Sequence, residues 1–248
     1  MSAILLQGLP HIAAALLYAV LGVHFWHTRW RESNHGLITR PMQPWERLSI
    51  FFALTVQGLG LYQGLFGAGG MRFSFSFALS LMLWLAVLIY WLESFRSRMD
   101  GLQPMVLPIA ALCALAPAIF PQLREVAHAG AWGFQLHFLT AMLAYSLFTL
   151  SALHAVFMGF AERKLHRRAV SKSLASLPPI LTMEALLFRM ILIAFCLLTI
   201  ALVSGVMFSE AIFGKAMAVD HKTLFAFASW GIFAALLIGR RAYGWRGR

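Results

Sequence analysis

Residues 186–208 read LLFRMILIAFCLLTIALVSGVMF, and this run of 23 residues contains a single charge, at Arg189. A helix that crosses the hydrocarbon core of a bilayer needs about 20 predominantly apolar residues, so the run predicts a membrane-spanning helix. The whole chain has the same character, because 60% of its 248 residues are hydrophobic and only 12% are charged. A water-soluble domain is nearer to half apolar and a quarter charged. The sequence therefore predicts an all-α, polytopic membrane protein and excludes a soluble enzyme.

Seven continuous apolar stretches divide the chain, and each is predicted to form a transmembrane helix. They run over Leu9–Trp26, Leu48–Phe66, Phe73–Leu92, Leu102–Phe120, Gly133–Phe160, Leu186–Phe208 and Thr223–Gly239. The fourth has the weakest signal, since it is short and contains three prolines; a membrane helix tolerates proline where neighbouring helices satisfy the freed backbone groups. No low-complexity linker separates the stretches, so we expect a single membrane domain over residues 1–248.

Positive charges are concentrated in every second connection between these stretches. The first, third and fifth connections, together with the C-terminal tail, hold fifteen Lys and Arg residues. The other three connections hold only Arg72, Arg124, Lys215 and Lys222. Because Lys and Arg accumulate in cytoplasmic loops, the N-terminus is predicted to lie outside and the C-terminus in the cytoplasm. The same rule explains the formal net charge of +11, which therefore indicates membrane lipid rather than nucleic acid as the partner.

Two pairs of small residues are spaced for close helix contact. Gly60 with Gly64, and Ala201 with Gly205, have the small-xxx-small spacing that lets helix backbones approach each other in a membrane. These pairs predict packing surfaces and carry no chemistry.

Arg189 is the one charge placed inside a predicted span. The preferred interpretation is that its long side chain reaches the cytoplasmic surface beside Glu184. The alternative is that its planar guanidinium grips a carboxylate or a carbonyl, a geometry that lysine does not reproduce.

The histidines are numerous for so apolar a chain, nine in all, and their depth in the membrane is informative. His137 lies about one turn inside the fifth stretch, and His221 lies at the outward mouth of the seventh. Imidazole is a usual axial ligand of haem iron, and a porphyrin held by two histidines needs such a pair at matching depth. His137 and His221 are therefore the candidate axial ligands. The alternative for each is a hydrogen-bonded side chain at the membrane interface.

The outward connections also contain what the rest of a haem would require. The aromatic residues are Trp132, Phe134, Phe208 and Phe213, of which Trp132 and Phe213 are predicted to wall the slot. Lys215, Lys222 and Arg124 are the candidate propionate partners, and Lys215 and Lys222 are preferred. Aromatic residues collect at every membrane interface, so their presence alone does not identify a haem slot. The chain has no HExxH, GxSxG or GxxxxGK[ST] motif and no span with paired carboxylates. These absences argue against the corresponding hydrolases and nucleotide sites and against an ordinary proton-coupled transporter; no catalytic residue is assigned.

Three groups of residues in the second half resemble the CcsA-type cytochrome c assembly family. They are FGKAMAVDHKT at 213–223 with AFASW at 226–230 and RRAYGWRG at 240–247; His137, Ala144-Tyr145 and Phe148; and Met183-Glu184, Arg189 and Ser204-Gly205. The family has a tryptophan-rich outer loop, similar to WGxxWxWDPKE, before a helix that ends in GWRG. In this chain Phe213, Met217 and Val219 occupy positions near those of the family's tryptophans in the motif, and His221 replaces its proline. The pattern is similar to the shorter, HemX-like or YpjD-like branch, and the resemblance covers residues 133–248.

The resemblance implies a multi-pass protein of the bacterial inner membrane that handles non-covalent, b-type haem during cytochrome c assembly. Apocytochrome c or another membrane protein of the assembly machinery is the expected partner. The chemistry would belong to the iron and the acceptor, while the protein supplies ligation and orientation. Family members continue past GWRG into a further membrane helix, so the family's final helix is expected to be missing here. Two alternatives stay open: a membrane scaffold or regulator with structural histidines, and a transporter or transporter accessory subunit.

Overall fold

The computed structural model describes residues 2–31, 42–66, 71–96, 101–126, 129–167, 180–213 and 221–244, with backbone only at 2–7, 31, 164–167, 180, 209–213 and 222. Within these ranges the chain is almost entirely helical. The helices are α1 (Ser2–Phe25), α2 (Pro44–Phe66), α3 (Phe75–Glu93), α4 (Gln103–Ile119), α5 (Trp132–Arg167), α6 (Ile180–Phe213) and α7 (His221–Tyr243). A π-helical turn, Trp26–Arg31, continues α1, and two short strands, β1 (Arg72–Phe73) and β2 (Arg124–Glu125), precede α3 and α5.

The predicted polytopic helical architecture is confirmed. Each apolar stretch corresponds to one helix, and six helices in the described part of the chain are long and apolar enough to cross a membrane. The remaining helix, α4, is apolar but has 17 residues. It is the helix that corresponds to the short, proline-containing fourth stretch. It packs against α1 and α3, so its freed backbone groups lie beside protein as well as lipid.

Helices α5 and α6 are longer than the apolar stretches that predicted them. α5 has 36 residues and α6 has 34, whereas the predictions covered Gly133–Phe160 and Leu186–Phe208. Hydropathy detects only the part of a helix that lies in hydrocarbon. Backbone hydrogen bonding continues beyond it, because polar residues such as Glu162 and Arg163 are also compatible with a helix.

The packing core is formed by the first four helices together with the inward-facing sides of α5 and α6. α1 contacts both α2 and α4, and α3 contacts α2, α4 and α5. Large side chains at Tyr18, Phe25, Ile50, Tyr90 and Leu107 are fully buried there. From this core α5 packs along α6, and α6 along α7, while α7 itself is almost wholly exposed.

Glycines set two of the helix contacts. A Cβ at Gly60 would lie 2.9 Å from Cβ of Pro10, so α1 and α2 approach closely at this point. A Cβ at Gly64 would lie 2.1 Å from the ring of Phe77, so α3 can place that ring against α2 only because the side chain is absent. The predicted packing role of this pair is therefore confirmed.

The two strands bring two connections to the same end of the bundle. β1 and β2 pair antiparallel, with Arg72 opposite Glu125 and Phe73 opposite Arg124. We call this end, which also holds the starts of α3, α5 and α7, the ribbon end, and the opposite end the basic end. Successive helices thus run in alternating directions between the two ends, as the predicted orientation requires. The assignment of the ribbon end to the outside stays a prediction.

A buried carboxylate joins α1 to α2 at the basic end. Glu46 accepts hydrogen bonds from Arg29 Nη2 at 2.8 Å and from the backbone N–H of Gln43 at 2.7 Å, and His24 Nε2 lies 3.0 Å from its other oxygen. Three polar partners therefore compensate the carboxylate for its loss of water. Removing one partner of such a buried pair leaves an uncompensated charge, which is strongly destabilising.

The preferred interpretation of Arg189 named the wrong partner. Its Nη2 donates to Glu93 Oε1 at the end of α3, and Glu184 instead accepts from Arg240 of α7. The guanidinium therefore grips a carboxylate on another helix, although its side chain is still 52% exposed. The two ion pairs link α6 to α3 and to α7 at the basic end.

Candidate functional site

His137 lies one turn into α5 and faces α6. Its Nδ1 is 2.9 Å from the backbone oxygen of Ala201 and 3.3 Å from Ser204 Oγ. A carbonyl oxygen can only accept, so Nδ1 carries the proton and donates it to Ala201. In a neutral imidazole the lone pair then lies on Nε2. Among the described residues Nε2 has no hydrogen-bond partner, and the ring is only half-buried.

The position of the His137 ring depends on two small residues of α6. A Cβ at Gly205 would lie 3.1 Å from His137 Cε1, so glycine leaves just enough room for the ring. Ser204 Oγ donates to the same Ala201 oxygen at 3.0 Å. The carbonyl is therefore approached by two side-chain donors, and the small-residue pair that predicted close packing is the surface against which His137 is fixed.

Aromatic rings surround this part of the ribbon end. Trp132 meets Phe208 of α6 edge to face, with 4.9 Å between ring centroids, and Gly133 allows this approach. Phe138 stacks on Phe134 and meets Phe73 of β1 edge to face at 5.1 Å. The sequence predicted Trp132 as a wall of the slot, and that role stays a prediction; it did not single out Phe73 or Phe138. Phe138 had a local signal, since it lies four residues after Phe134 on the same helix face.

His221 is the first residue of α7 and is exposed. α7 lies against α5 through stacked rings of Phe148 and Phe233, 4.0 Å apart, and against α6 where Trp230 Nε1 donates to Thr199 Oγ1 at 3.0 Å. These contacts put His221 and His137 at the same end of neighbouring helices. The described contacts do not include one between the two imidazoles, so their pairing stays a prediction.

The other predicted site residues are only partly described. Phe213 ends α6 and Lys222 is the second residue of α7, but only their backbones are described. Lys215 lies outside the described residues. The predicted wall at Phe213 and the predicted propionate partners at Lys215 and Lys222 therefore stay predictions.

Two buried histidines differ from His137. His11 on α1 and His154 on α5 are each 2% exposed. His154 Nε2 lies 3.1 Å from the backbone oxygen of Met183, and the Nδ1 atoms of both rings are buried without a hydrogen-bond partner in the described part of the chain. This burial depends on how the helices pack, which the sequence alone does not reveal. Packed helices leave no room for a planar ligand at either ring.

Polydentate metal sites are a separate possibility for a chain with nine histidines. Within the described ranges no group of three or more His, Cys, Asp or Glu side chains is placed to hold a metal ion. The arrangement around His137 is of a different kind, because it presents a single imidazole nitrogen beside apolar rings.

Comparison with known proteins gives three kinds of match. A family model described as "Cytochrome C assembly protein" matches residues 45–248, and so also covers α2–α4, which the resemblance in the sequence did not reach. "Inner membrane protein YpjD" of Escherichia coli (strain K12) is 25% identical over 210 residues, which is 82% of this chain and 78% of the relative. "Cytochrome c biogenesis protein CcsA" of Prochlorococcus marinus (strain MIT 9215) is 41% identical over 66 residues, 27% of this chain and 21% of the relative.

A further relative extends the similarity without adding a function. An uncharacterized 28.8 kDa protein of Azospirillum brasilense is 29% identical over 184 residues, 68% of this chain and 66% of the relative. No solved structure matches the chain.

Proposed function

We propose that this chain, which belongs to the cytochrome c assembly protein family, binds b-type haem non-covalently at the ribbon end, with His137 as an axial ligand. It is a multi-pass protein of the bacterial inner membrane with a role in cytochrome c biogenesis. The observation that carries this proposal is the hydrogen bond from His137 Nδ1–H to the Ala201 carbonyl. Histidines that bind metals nearly always donate their other ring N–H to a carbonyl, a carboxylate or water. The bond fixes the tautomer and leaves Nε2 free to bind iron.

Comparison with His154 supports the choice of His137. Both rings approach a backbone carbonyl through one nitrogen, so that feature alone does not distinguish them. The second nitrogen of His154 is buried among packed helices, whereas the ring of His137 is half-buried and lies next to the aromatic residues of the ribbon end. A porphyrin plane can reach only the second kind of site.

We assign the second axial position to His221 and the remaining contacts to residues nearby. His221 is exposed at the start of a helix that lies against α5 and α6. Trp132 and Phe213 would cover the porphyrin faces, and Lys215 and Lys222 would neutralise the propionates. When bound, haem supplies the iron chemistry, and the protein binds and orients it. Apocytochrome c or another assembly protein in the membrane is the proposed recipient.

The test is a haem titration of the purified protein followed at the Soret band. We expect the parent to bind haem, and His137→Ala and His221→Ala to bind it about 10- to 100-fold more weakly, the usual range for changes at metal sites. His27→Ala is the matched control, because His27 is an exposed histidine at the basic end. The assignment would be refuted if the parent binds no haem, or if His137→Ala and His221→Ala both bind it like the parent. Either result would favour a scaffold with structural histidines.

A further inference from the structure

A cavity of about 520 Å³ opens at the ribbon end between the start of α3 and the end of α4. Its walls include Phe75, Leu79, Ala116 and Phe120, and Arg124 of β2 lies at its edge. Cavities of 300–1,000 Å³ with mostly apolar linings and a few placed polar groups are typical ligand sites. The position at the ends of two membrane helices puts this one at the level of the lipid headgroups.

The hydroxyl groups of the cavity are already used in holding the two helices together. Ser76 Oγ donates to the backbone oxygen of Phe120 at 2.8 Å and lies 2.9 Å from Ser74 Oγ, which in turn caps α3 by accepting from the backbone N–H of Phe77. The cap and the α3–α4 bond give the cavity a fixed wall. Among the described residues that line the cavity, Arg124 has the one charged side chain.

The β ribbon fixes where that charge lies. Phe73 and Arg124 are opposite each other across the two strands, and both line the cavity. Successive side chains of a strand point to opposite faces, so the neighbouring Glu125 is directed away from it. Among the described residues Arg124 has no ion-pair partner, and its side chain is exposed. A guanidinium at this position is available to an anion, and its planar geometry matches phosphate oxygens.

Haem does not fit this cavity, because its lining contains no His, Cys, Met or Tyr that could bind iron. The cavity is thus a different site from that of His137, although Phe73 lines the cavity and also meets Phe138 near His137. We propose that it binds an anionic phospholipid, whose phosphate pairs with Arg124 and whose acyl chain lies against Leu79, Ala116 and Phe120. Apolar walls beside a single cation at headgroup depth are complementary to that ligand in both shape and charge. The proposal does not depend on haem binding.

The test is native mass spectrometry of the full-length protein, equilibrated with phosphatidylglycerol or with phosphatidylcholine of the same acyl chains. We expect the parent to retain phosphatidylglycerol preferentially. Arg124→Gln should weaken that binding about fivefold, which is the contribution of one basic residue near an anionic headgroup, and Arg124→Lys should keep most of it. Ala116→Phe should reduce binding of both lipids by filling the apolar part.

The control is Arg163→Gln, which removes an exposed arginine of α5 at the other end of the bundle and should bind lipid like the parent. Equal retention of the two lipids by the parent would overturn the proposal. So would unchanged phosphatidylglycerol binding in Arg124→Gln, or an equal loss in Arg163→Gln, since lipid would then be attracted by the overall charge of the protein.

Discussion

Gly205→Ala is the sharpest test of how His137 is held. An added Cβ would lie 3.1 Å from Cε1 and 3.3 Å from Nδ1 of the ring, whereas ordinary contacts of a Cβ lie at 3.4–4 Å. Restoring an ordinary contact requires the ring to give by a few tenths of an ångström. Such a shift disturbs the 2.9 Å contact between Nδ1 and the Ala201 oxygen, because a hydrogen bond weakens as its length and angle depart from the preferred range.

The expected cost follows from that bond. A hydrogen bond contributes about 0.5–1.5 kcal/mol net, so losing the one that orients the imidazole should weaken haem binding about 2- to 13-fold. The assay is the Soret titration, with circular dichroism to show that the variant is folded. Gly159→Ala is the matched control, because a Cβ at that glycine of α5 meets nothing within 4 Å. If Gly205→Ala binds haem as tightly as the parent, the hydrogen bond to Ala201 does not orient an axial ligand.

Three further predictions concern stability and topology. Glu46→Gln should lower the free energy of unfolding by about 3–5 kcal/mol, because it removes the carboxylate charge that faces the buried guanidinium of Arg29; thermal unfolding in detergent measures this, and a loss below 1 kcal/mol would contradict it. Arg189→Gln should lower the free energy of unfolding by at most about 1 kcal/mol, since its ion pair with Glu93 is partly exposed. In a Glu93→Gln background the same substitution should lower it no further; additive losses of stability would mean that the ion pair contributes nothing. A reporter fused after Gly247 should be cytoplasmic and one inserted at Ala129 external, and the reverse result would invert the bundle.

Hydropathy predicted the positions of all seven helices because the membrane imposes a single requirement on each span, a continuous apolar length. It did not predict that α5 and α6 extend into polar residues, since helix formation outside the hydrocarbon does not depend on apolar character. The depth of His137 also followed from its place along α5. These features are local, and each can be read within one segment of the chain.

Features that depend on helix adjacency could not be predicted in the same way. Arg189 was assigned to Glu184, five residues away, but its partner Glu93 is 96 residues distant. The contact of His137 with Ala201 joins residues 64 apart. Neither pairing follows from spacing along one helix, because it requires knowing which helices are neighbours and how each is rotated. The same holds for the cavity at Arg124, which depends on the pairing of two strands of two residues each.

The packing of α1 against α4 has a consequence for the time course of synthesis. α1 ends at Phe25 and α4 at Ile119, and at about 5–20 residues per second the ribosome needs roughly 5–20 seconds to make the chain between them. During this interval the surface of α1 that α4 covers in the finished protein is exposed either to lipid or to the insertion machinery. Once α4 arrives, the first four helices can close as a unit while α6 and α7 are still untranslated. Helices α6 and α7 would then be added to a group of helices that is already in contact.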